Sequence, residues 1–368
     1  MKESPDNGNA FDRLSRDVPL GICLKCGGCV ASCPVDSIDI EDDSPRLIGE
    51  CIDCGNCYAN CPQVTPDDEI QKRVFSDDAS SDVLGHCEAA YSGKTNNHSI
   101  EKVAQDGGIV SSILASLLDA GYIDGAIVVD RDSEWRPEPR IVTAEGGIID
   151  CSGTKYVQTD VLSLLKKGVE ERSLEDIAVV GTPCQVKGLR SLTTGDNKIE
   201  DLSESIKLVI GLFCSESFTY KGLFEEKLKN SLGINPSEIS KMDIKGRLII
   251  ELKDGSKEEL KLEDLEEQVF PPCNFCSDFS AELADISVGG VGSPDGYSTI
   301  LVRTEIGRVS LEKAQDRGAF SKKDLAEVDP GIELVERLSS KKKESAKETI
   351  ESYRESSKDA PPRSKKSV

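Results

Sequence analysis

The sequence predicts a small α+β module followed by a larger α/β domain with antiparallel strands at its edges. Two near-identical four-cysteine motifs between Cys23 and Pro62 define the module. From Val83 onward, buried-strand patterns alternate with helical ones, as in α/β domains. The predicted organisation is a disordered N-terminus over 1–16, the module over 17–66, a linker over 67–82, the α/β domain over 83–320, a helical extension over 321–355 and a disordered tail over 356–368.

Each motif reads Cys-x-x-Cys-x-x-Cys-x-x-x-Cys-Pro. Three thiolates at this spacing can surround one 4Fe–4S cluster, and the fourth, before proline, completes the neighbouring cluster. The motifs are joined by a predicted hairpin over residues 37–48, and a short helix over residues 11–18 leads into them. The spacing therefore assigns the ligands of a first cluster to Cys23, Cys26, Cys29 and Cys61, and those of a second to Cys51, Cys54, Cys57 and Cys33.

Zinc sites and disulfides are the alternatives for these eight cysteines. Zinc sites usually take paired Cys-x-x-Cys units, without a third step and a cysteine before proline. Disulfide frameworks need an oxidising compartment, and no secretory signal precedes the module. The pattern favours iron–sulfur clusters, and the module resembles bacterial two-cluster ferredoxins over about residues 17–65.

The chain is strongly acidic, with a formal net charge of −22. Such a field repels nucleic acid and anionic lipid surfaces, so we expect neither as a partner. No apolar run approaches the ~20 residues that span a bilayer. The chain is predicted to be cytoplasmic, either soluble or peripheral on a membrane complex through its partners.

The elements of the α/β domain follow from apolar patterns bounded by glycine and polar turns. Its helices are predicted over residues 109–118, 160–171, 185–192 and 218–232, and a last helix over 330–353. Its strands are predicted over 125–129, 177–181, 206–213, 285–288 and 298–303. Two hairpins are predicted, one over 140–149 and a late one over 243–252.

Four further cysteines are expected to converge. Cys184 and Cys214 each follow a strand of one βαβ unit, so both should lie at the carboxyl edge of the sheet. Cys273 and Cys276 add two thiolates from a loop. The four fit a third 4Fe–4S cluster or a structural zinc site on spacing alone, and the two upstream clusters favour the cluster. The remaining two cysteines have no partner motif and are interpreted as small buried hydrophobes: Cys87 and Cys151.

Three glycine-rich turns offer backbone N–H groups to a pyrophosphate. They are Gln105–Gly108, Gly181–Cys184 and Gly289–Gly296. No Gly-x-Gly-x-x-Gly lies between a strand and a helix, so a Rossmann nicotinamide site is not supported. The two histidines, His86 and His98, form no nucleophile–base arrangement, which leaves hydrolytic chemistry without a carrier.

Several short motifs then recur in the order of a known family. They are Gln105-Asp106-Gly107-Gly108, Gly153-Thr154-Lys155-Tyr156, Gly181-Thr182-Pro183-Cys184-Gln185, Cys214-Ser215-Glu216, Cys273-x-x-Cys276-x-Asp278 and Ala284-Asp285-Ile286-Ser287-Val288-Gly289. Together they resemble the beta subunit of coenzyme F420 hydrogenases and dehydrogenases over about residues 83–320. With the module in front, the layout is most similar to the electron-input subunit of the F420 dehydrogenase complex.

The resemblance implies a flavin-binding α/β domain that holds FAD, a 4Fe–4S cluster beside it, and a deazaflavin site over the flavin ring. The cluster would fall to the four cysteines that the spacing brings together. Lys155 is the one candidate for offsetting charge on flavin or substrate, with a surface lysine as the alternative. A basic rim for the anionic tail of coenzyme F420 is expected from Lys166, Lys167, Lys187 or Arg190. The cofactor-binding candidates are Gln105, Asp106, Gly107, Gly108, Lys155, Thr182, Pro183, Gly289, Gly292, Ser293 and Gly296.

The function implied is an oxidoreductase that moves a hydride between reduced coenzyme F420 and FAD. Electrons then pass one at a time through three 4Fe–4S clusters to or from a partner subunit or a ferredoxin, because flavin converts between two-electron and one-electron carriers. Two alternatives remain open. One is a flavin/iron–sulfur reductase of the same fold with a different hydride partner, and the other is a non-enzymatic electron-transfer adaptor.

Overall fold

A computed structural model describes residues 8–41, 43–75 and 83–356. The predictions for residues 1–7, part of the linker (76–82) and the tail from 357 onward lie outside the described residues. Within them the helical elements are α1 (Ala10–Asp17), α2 (Gly28–Ala31), α3 (Asn56–Ala59), α4 (Asp67–Val74), α5 (His98–Val103), α6 (Ile109–Asp119), α7 (Glu145–Asp150), α8 (Leu164–Lys166), α9 (Pro183–Thr193), α10 (Glu200–Ser205), α11 (Glu305–Asp316) and α12 (Ile332–Glu355).

Shorter helical segments complete these elements. Two are π-helical, Lys167–Glu171 and Lys221–Ser231, and five are 3-10 turns: Val161–Ser163, Pro236–Glu238, Leu262–Gln268, Pro271–Phe275 and Leu325–Glu327. The strands are β1 (Ile38–Glu41), β2 (Ser44–Leu47), β3 (Ala89–Thr95), β4 (Gly125–Arg131), β5 (Pro137–Val142), β6 (Ile177–Gly181), β7 (Ile206–Leu212), β8 (Ile239–Ile244), β9 (Arg247–Leu252), β10 (Lys257–Lys261), β11 (Ile286–Gly289), β12 (Ser298–Val302) and β13 (Phe320–Asp324).

The described strands form three sheets. The main sheet has the order β13-β3-β12-β11-β7-β6-β4-β5, with β11, β7, β6 and β4 parallel to one another. The strands outside this centre pair antiparallel, which confirms the predicted α/β domain with antiparallel edges. The hairpin β1–β2 belongs to the module, and β10-β9-β8 form a separate antiparallel sheet.

Both faces of the central strands are buried, as expected for parallel strands. Ala126 and Val128 of β4 point into a core that α6 and α11 cover, whereas Ile127 points into the opposite core. The same alternation recurs in β6 and β7. The second core also contains residues of α9 and of the cysteine module, so the module is packed onto the main domain.

The contact between module and domain is close. The backbone N–H of Leu162 donates to the Cys26 carbonyl at 2.9 Å, and the Gln158 side-chain amide donates to the Leu24 carbonyl at 2.8 Å. Gly188 of α9 lies against Cys26, since a Cβ on this glycine would come within 2.9 Å of the cysteine Sγ. A larger residue at this position would separate the two parts.

Most predicted elements are present, and three expectations are wrong. The strand expected over 147–149 is the helix α7, because β5 already pairs with β4 at the sheet edge and Ile148 packs back onto the core. The late hairpin over 243–252 is confirmed, since β8 pairs antiparallel with β9, and β10 adds a third strand to this sheet. The extension over 321–355 begins with β13, which pairs with β3. Residues 10–16, assigned to a disordered N-terminus, belong to α1, which confirms the short helix predicted over 11–18. Asn9 caps this helix by accepting from the backbone N–H groups of Phe11 and Asp12.

One strand was not predicted. β3 reads Ala-Ala-Tyr-Ser-Gly-Lys-Thr and lacks apolar alternation, but β12 and β13 pair with it on both sides. Tertiary pairing overrides local propensity here. None of the helices within the described ranges has the length and apolar character to cross a membrane.

Candidate functional site

The module cysteines separate into two groups in space. Burial, followed by the charges of Cys61 and Cys23, raises the pKa of Cys26 to about 12. Burial and then Cys26, Cys23 and Cys61 likewise raise the pKa of Cys29. These four cysteines therefore lie together, as the spacing predicts for a first cluster.

The second group shows the same coupling. Burial raises the pKa of Cys57 to about 11, and the charges of Cys51, Cys54 and Cys33 add to the effect. The backbone N–H of Ser37 donates to the Cys33 Sγ at 3.3 Å, a bond that favours the thiolate form that ligates iron. Cys54 is the one exposed member of the chain's fourteen cysteines, all of which lie in the described residues.

Two cavities coincide with these groups. A cavity of about 430 Å³ has Cys23, Cys26, Cys29 and Cys61 in its wall. A second, smaller cavity is lined by Cys33, Cys51, Cys54 and Cys57. A pocket walled by four thiols suits an iron–sulfur cluster, so the residues fit the cofactor that the motif predicts.

A third group lies at the carboxyl edge of the main sheet. Cys184 is at the start of α9, directly after β6, and Cys214 follows β7. Burial, then the charges of Cys276 and Cys214, raise the pKa of Cys184 to about 12. Burial also raises the pKa of Cys273, with Cys214 and Cys184 as the next contributors. The structure thus brings together all four cysteines that the sequence combined.

The third group provides four thiols, and both a zinc ion and a 4Fe–4S cluster accept four cysteine ligands. Within residues 8–41, 43–75 and 83–356, no three His, Cys, Asp or Glu side chains approach closely enough to share one metal ion. The assignment of this group to a cluster stays a prediction.

Neighbouring polar groups point at the third group. The backbone N–H of Ser217 donates to the Cys273 Sγ at 3.4 Å, and the Gln158 amide reaches the Cys184 Sγ at 3.7 Å. The Thr182 hydroxyl lies 3.2 Å from the same Cys184 sulfur. Donors aimed at sulfur stabilise the added negative charge of a reduced cluster.

A buried cation that the sequence did not indicate lies beside this group. Lys342 of α12 donates through Nζ to the Cys214 carbonyl at 2.8 Å and to the Ser215 carbonyl. Burial acts against its charge, but the thiolates of Cys276, Cys214 and Cys273 outweigh burial and raise the pKa of Lys342. The sequence signal is only a lysine run within a helix, which is typical of a solvated face.

Two of the predicted flavin turns lie on the same edge. Gly107 donates its backbone N–H to the Ser298 hydroxyl at 2.9 Å, and a Cβ on Gly107 would come within 2.3 Å of the Gly93 carbonyl. Gly108, with φ +70°, begins α6 without a side-chain cap. The first N–H groups of α6 are therefore left for a ligand, as an anion site requires.

Asp106 faces the third turn. A Cβ on Gly290 would lie 2.6 Å from the Asp106 carboxylate. Burial raises the pKa of Asp106 to about 6, with Asp243 raising it further and Lys245 and Lys241 opposing. These lysines belong to the separate sheet β8–β10 and its turn, which places basic side chains near the α6 N-terminus.

The remaining candidates have internal partners. In the Gly289–Gly296 turn, Gly289 contacts Phe213, Gly292 (φ +96°) contacts Val335, and the buried Ser293 hydroxyl lies 2.7 Å from that of Thr299. Gln105 donates to the Met242 carbonyl at 3.2 Å. The Thr182 backbone N–H donates to the Gln185 side chain at 2.8 Å, and Pro183 is buried at the start of α9. Their roles toward FAD stay predictions.

Lys155 is not a surface lysine, since only 8% of it is exposed. Its Nζ donates to the carbonyls of Cys151 at 2.5 Å, Ser152 at 3.2 Å and Gly153 at 2.8 Å, and so caps the end of α7. Burial lowers the pKa of Lys155 to about 8. A direct role on the flavin stays a prediction.

The expected basic rim is wrong for three of its four lysine and arginine residues. Lys166 contacts the Cys33 carbonyl at 2.9 Å and Asp36 at 2.6 Å, and Lys187 pairs with Asp67. Arg190 forms a buried ion pair with Asp285 at 2.8 Å. These cations hold the module and the sheet together instead of facing a ligand.

The two unassigned cysteines differ in burial. Cys151 is buried in the main core, which fits the interpretation as a small hydrophobe. Cys87 is half-buried, and its Sγ lies 3.4 Å from the Ala89 carbonyl.

Family models match the chain over three stretches. Residues 90–166 match the model for the N-terminal part of the coenzyme F420 hydrogenase/dehydrogenase beta subunit, and residues 174–328 match the model for its C-terminal part. Residues 18–62 match a 4Fe-4S dicluster domain. The two beta-subunit matches together span more than half of the chain. The chain belongs to the family of coenzyme F420 hydrogenase/dehydrogenase beta subunits.

Named relatives agree with this membership. The chain is similar to the beta subunit of the coenzyme F420 hydrogenase of Methanothermobacter thermautotrophicus, with 38% identity over 74% of this chain and 97% of that protein. It is 30% identical to a subunit of the F420H2 dehydrogenase of Methanosarcina mazei over 89% of this chain and 90% of that protein. The larger share of this chain that the dehydrogenase protein covers confirms the expected layout.

Other members show the same relationship. Coenzyme F420-dependent sulfite reductase of Methanocaldococcus jannaschii is 34% identical over 93% of this chain and 52% of that protein. A chain of the F420-reducing nickel–iron hydrogenase complex from Methanosarcina barkeri is similar in structure, with a TM-score of 0.70, 32% identity, and coverage of 73% of this chain and 93% of that chain. These relatives are named as oxidoreductases, and so this family member is an oxidoreductase with a 4Fe-4S dicluster domain.

Proposed function

We propose that the chain moves a hydride between reduced coenzyme F420 and FAD, and electrons between FAD and a partner through three 4Fe–4S clusters. The observation that carries the proposal is the arrangement along one sheet edge. The β11 turn, the end of β7 and the start of α9 lie side by side because their strands are neighbours. The glycine turns are therefore next to the third cysteine group.

The three cysteine groups form a linear series in this proposal. The charge of Cys26 from the first group acts on Cys184 of the third, so these groups are neighbours. The charge of Cys57 from the second group acts on Cys29 of the first. The series runs from the sheet edge through the first cluster to the second, whose Cys54 is exposed.

The chain's own residues supply binding and electrostatics. The uncapped N-terminus of α6 would hold the pyrophosphate of FAD, and Lys241 would attract the anionic tail of coenzyme F420. Lys245 lies nearby but pairs with Asp295 at 2.7 Å and with Asp243 at 3.9 Å. Flavin would supply the conversion between a two-electron hydride and single electrons. Donors such as the Ser217 N–H would stabilise the reduced third cluster.

The partner is a redox subunit or a ferredoxin, reached in the cytoplasm or at the surface of a membrane complex. Family names support coenzyme F420 as the hydride carrier. The direction of flow follows from the potentials of substrate and partner, so the same series serves reduction of coenzyme F420.

The test is anaerobic stopped-flow mixing of the holoprotein, purified with flavin and iron quantified, with reduced coenzyme F420. Flavin absorbance is expected to fall first and cluster absorbance afterward, because hydride arrives at the flavin. NADH at the same concentration is the matched control and is expected to bleach neither.

Three outcomes would overturn parts of the proposal. Bleaching by NADH and not by reduced coenzyme F420 assigns a different hydride partner. A protein that purifies with iron and sulfide but no flavin is an electron-transfer adaptor. Cluster reduction before flavin reduction contradicts the order.

A further inference from the structure

Exposed apolar side chains concentrate around the second cysteine group. Four of the nine large hydrophobic residues exposed in the described part of the chain lie between residues 35 and 52. They are Val35 (43% exposed), Leu47 (37%), Ile48 (53%) and Ile52 (57%). Val35, Leu47 and Ile52 line the same small cavity as the second group, so they form one surface with Cys54, here called the exit face.

The exit face has an acidic border. The exposed ionisable side chains of residues 35–54 that the structure describes are acidic apart from Arg46, and they are Asp36, Asp39, Glu41, Asp43, Glu50 and Asp53. Lys166 offsets Asp36 at 2.6 Å, and Asp53 accepts the backbone N–H of Ala10 at 2.7 Å. For the other four acidic residues, Arg46 is the one cation within the described part of this face. Lys25, from outside the face, lies 3.5 Å from Asp43.

An apolar centre with a charged border is the pattern of a transient protein interface. Because Cys54 is exposed, an electron on the second cluster is close to the surface here. A second copy of the chain would bring the same acidic border against this one, and like charges across an interface cost binding energy.

We propose that the exit face docks a one-electron carrier protein whose redox centre is surrounded by lysine and arginine. The inference rests on the proposed function for the identity of the electron source, and adds the site and chemistry of the electron partner. Each encounter transfers one electron: one reduced 4Fe–4S cluster is oxidised, the carrier's redox centre is reduced, and no proton or bond is exchanged.

The test uses ferric cytochrome c, whose haem edge is ringed by lysines, as the probe. The holoprotein is reduced with dithionite, desalted anaerobically and mixed with the probe, so that neither coenzyme F420 nor hydride transfer is involved. The Asp39→Lys/Glu50→Lys variant is expected to reduce cytochrome c about tenfold more slowly at low salt, with the difference shrinking as salt rises.

A control variant distinguishes the effect of the exit face from the effect of the chain's net charge of −22. Glu258→Lys/Glu327→Lys changes net charge equally on β10 and the turn after β13, and is expected to keep at least half of the wild-type rate. Iron content and cluster absorbance are matched for each variant before mixing. Ile52→Ser, which removes an apolar contact and no charge, is expected to slow the reaction at all salt concentrations.

Equal slowing of the two charge variants, or no slowing of either, would overturn the proposal. A wild-type dimer that Ile52→Ser converts to a monomer in sedimentation would assign the exit face to a second copy. A rise in rate after removal of residues 1–7 would assign it to the chain's own N-terminus. Failure of bleaching by reduced coenzyme F420, with this result intact, would overturn only the hydride assignment.

Discussion

The surroundings of Asp106 disfavour the ionised form of its side chain. It lies at the start of α6, half-buried against Gly290, with Asp243 nearby. Its folded-state pKa of about 6 lies above the ordinary 3.8, so the folded protein binds this proton more tightly than the unfolded chain. The resulting loss of folding stability is absent below about pH 4, grows as pH rises from about 4 to about 6, and is fully present above that range.

Asp106→Asn is therefore expected to stabilise the protein at alkaline pH. The free energy of unfolding is expected to rise by about 1–3 kcal/mol at pH 8 and by about half of that at pH 5. The melting temperature of the anaerobic holoprotein, measured at both pH values, checks this. Asp39→Asn controls for the loss of one negative charge. A larger gain at pH 5 than at pH 8 would contradict the buried-carboxylate account.

At this scale the sequence predicted residues with a chemical signature and missed those without one. Eight of the twelve cysteines predicted as ligands follow a motif spacing, and Cys184 and Cys214 follow from strand order; the structure brings the twelve together in the three predicted groups. Lys342 carries no such pattern, because a lysine becomes part of a site only through the tertiary contact that buries it. The prediction of a basic rim was wrong for the same reason, since ion pairs with acidic residues distant in the sequence cannot be predicted from a local pattern.

The C-terminal helix α12 is the element that closes the third cysteine group. Tyr353 packs edge-on against Phe275 at 4.9 Å between ring centres, and Lys343 pairs with Glu282 at 2.6 Å. Lys342, next to Lys343 in the sequence, donates to the carbonyls of Cys214 and Ser215. The helix lies beyond the matched beta-subunit model, which ends at residue 328. It adds a positive charge next to the proposed cluster.

Lys342→Met is expected to lower the reduction potential of the third cluster, because a nearby cation favours the more negative reduced state. The shift is on the order of 60 mV, which corresponds to a tenfold change for a one-electron couple. Redox titration followed by electron paramagnetic resonance measures it. Lys342→Arg should restore the potential, and Lys341→Met on the same helix should leave it unchanged. An unaltered potential in Lys342→Met would show that the cation does not act on the cluster.

Helices and strands were predictable where the apolar pattern fits only one type of secondary structure. The apolar runs of β4, β6 and β7 are long enough to identify buried strands. Residues 147–149 are a short apolar run that fits a strand or a helix equally, and only the occupied sheet edge decides for α7. β3 has no apolar alternation, and its pairing with two later strands lies outside any local window.

At the scale of the whole molecule, α9 joins the two functional halves. Its first turn carries Cys184, and Gly188 one turn later touches Cys26 of the module. Electron transfer through protein weakens steeply with distance, so this contact makes the third and first groups the natural neighbours in a series. In the proposed function the third cluster is therefore the connection between flavin and module.

The variant Cys276→Ala tests this connection. Cys276 lies on a loop beside the sheet edge, and its loss should remove about a third of the iron while the module clusters stay. In anaerobic mixing of this variant with reduced coenzyme F420, we expect the flavin to bleach at the wild-type rate while the module clusters stay oxidised, although dithionite reduces them. Reduction of the module clusters at the wild-type rate, in a variant shown to lack the third cluster, would show that electrons reach the module without it.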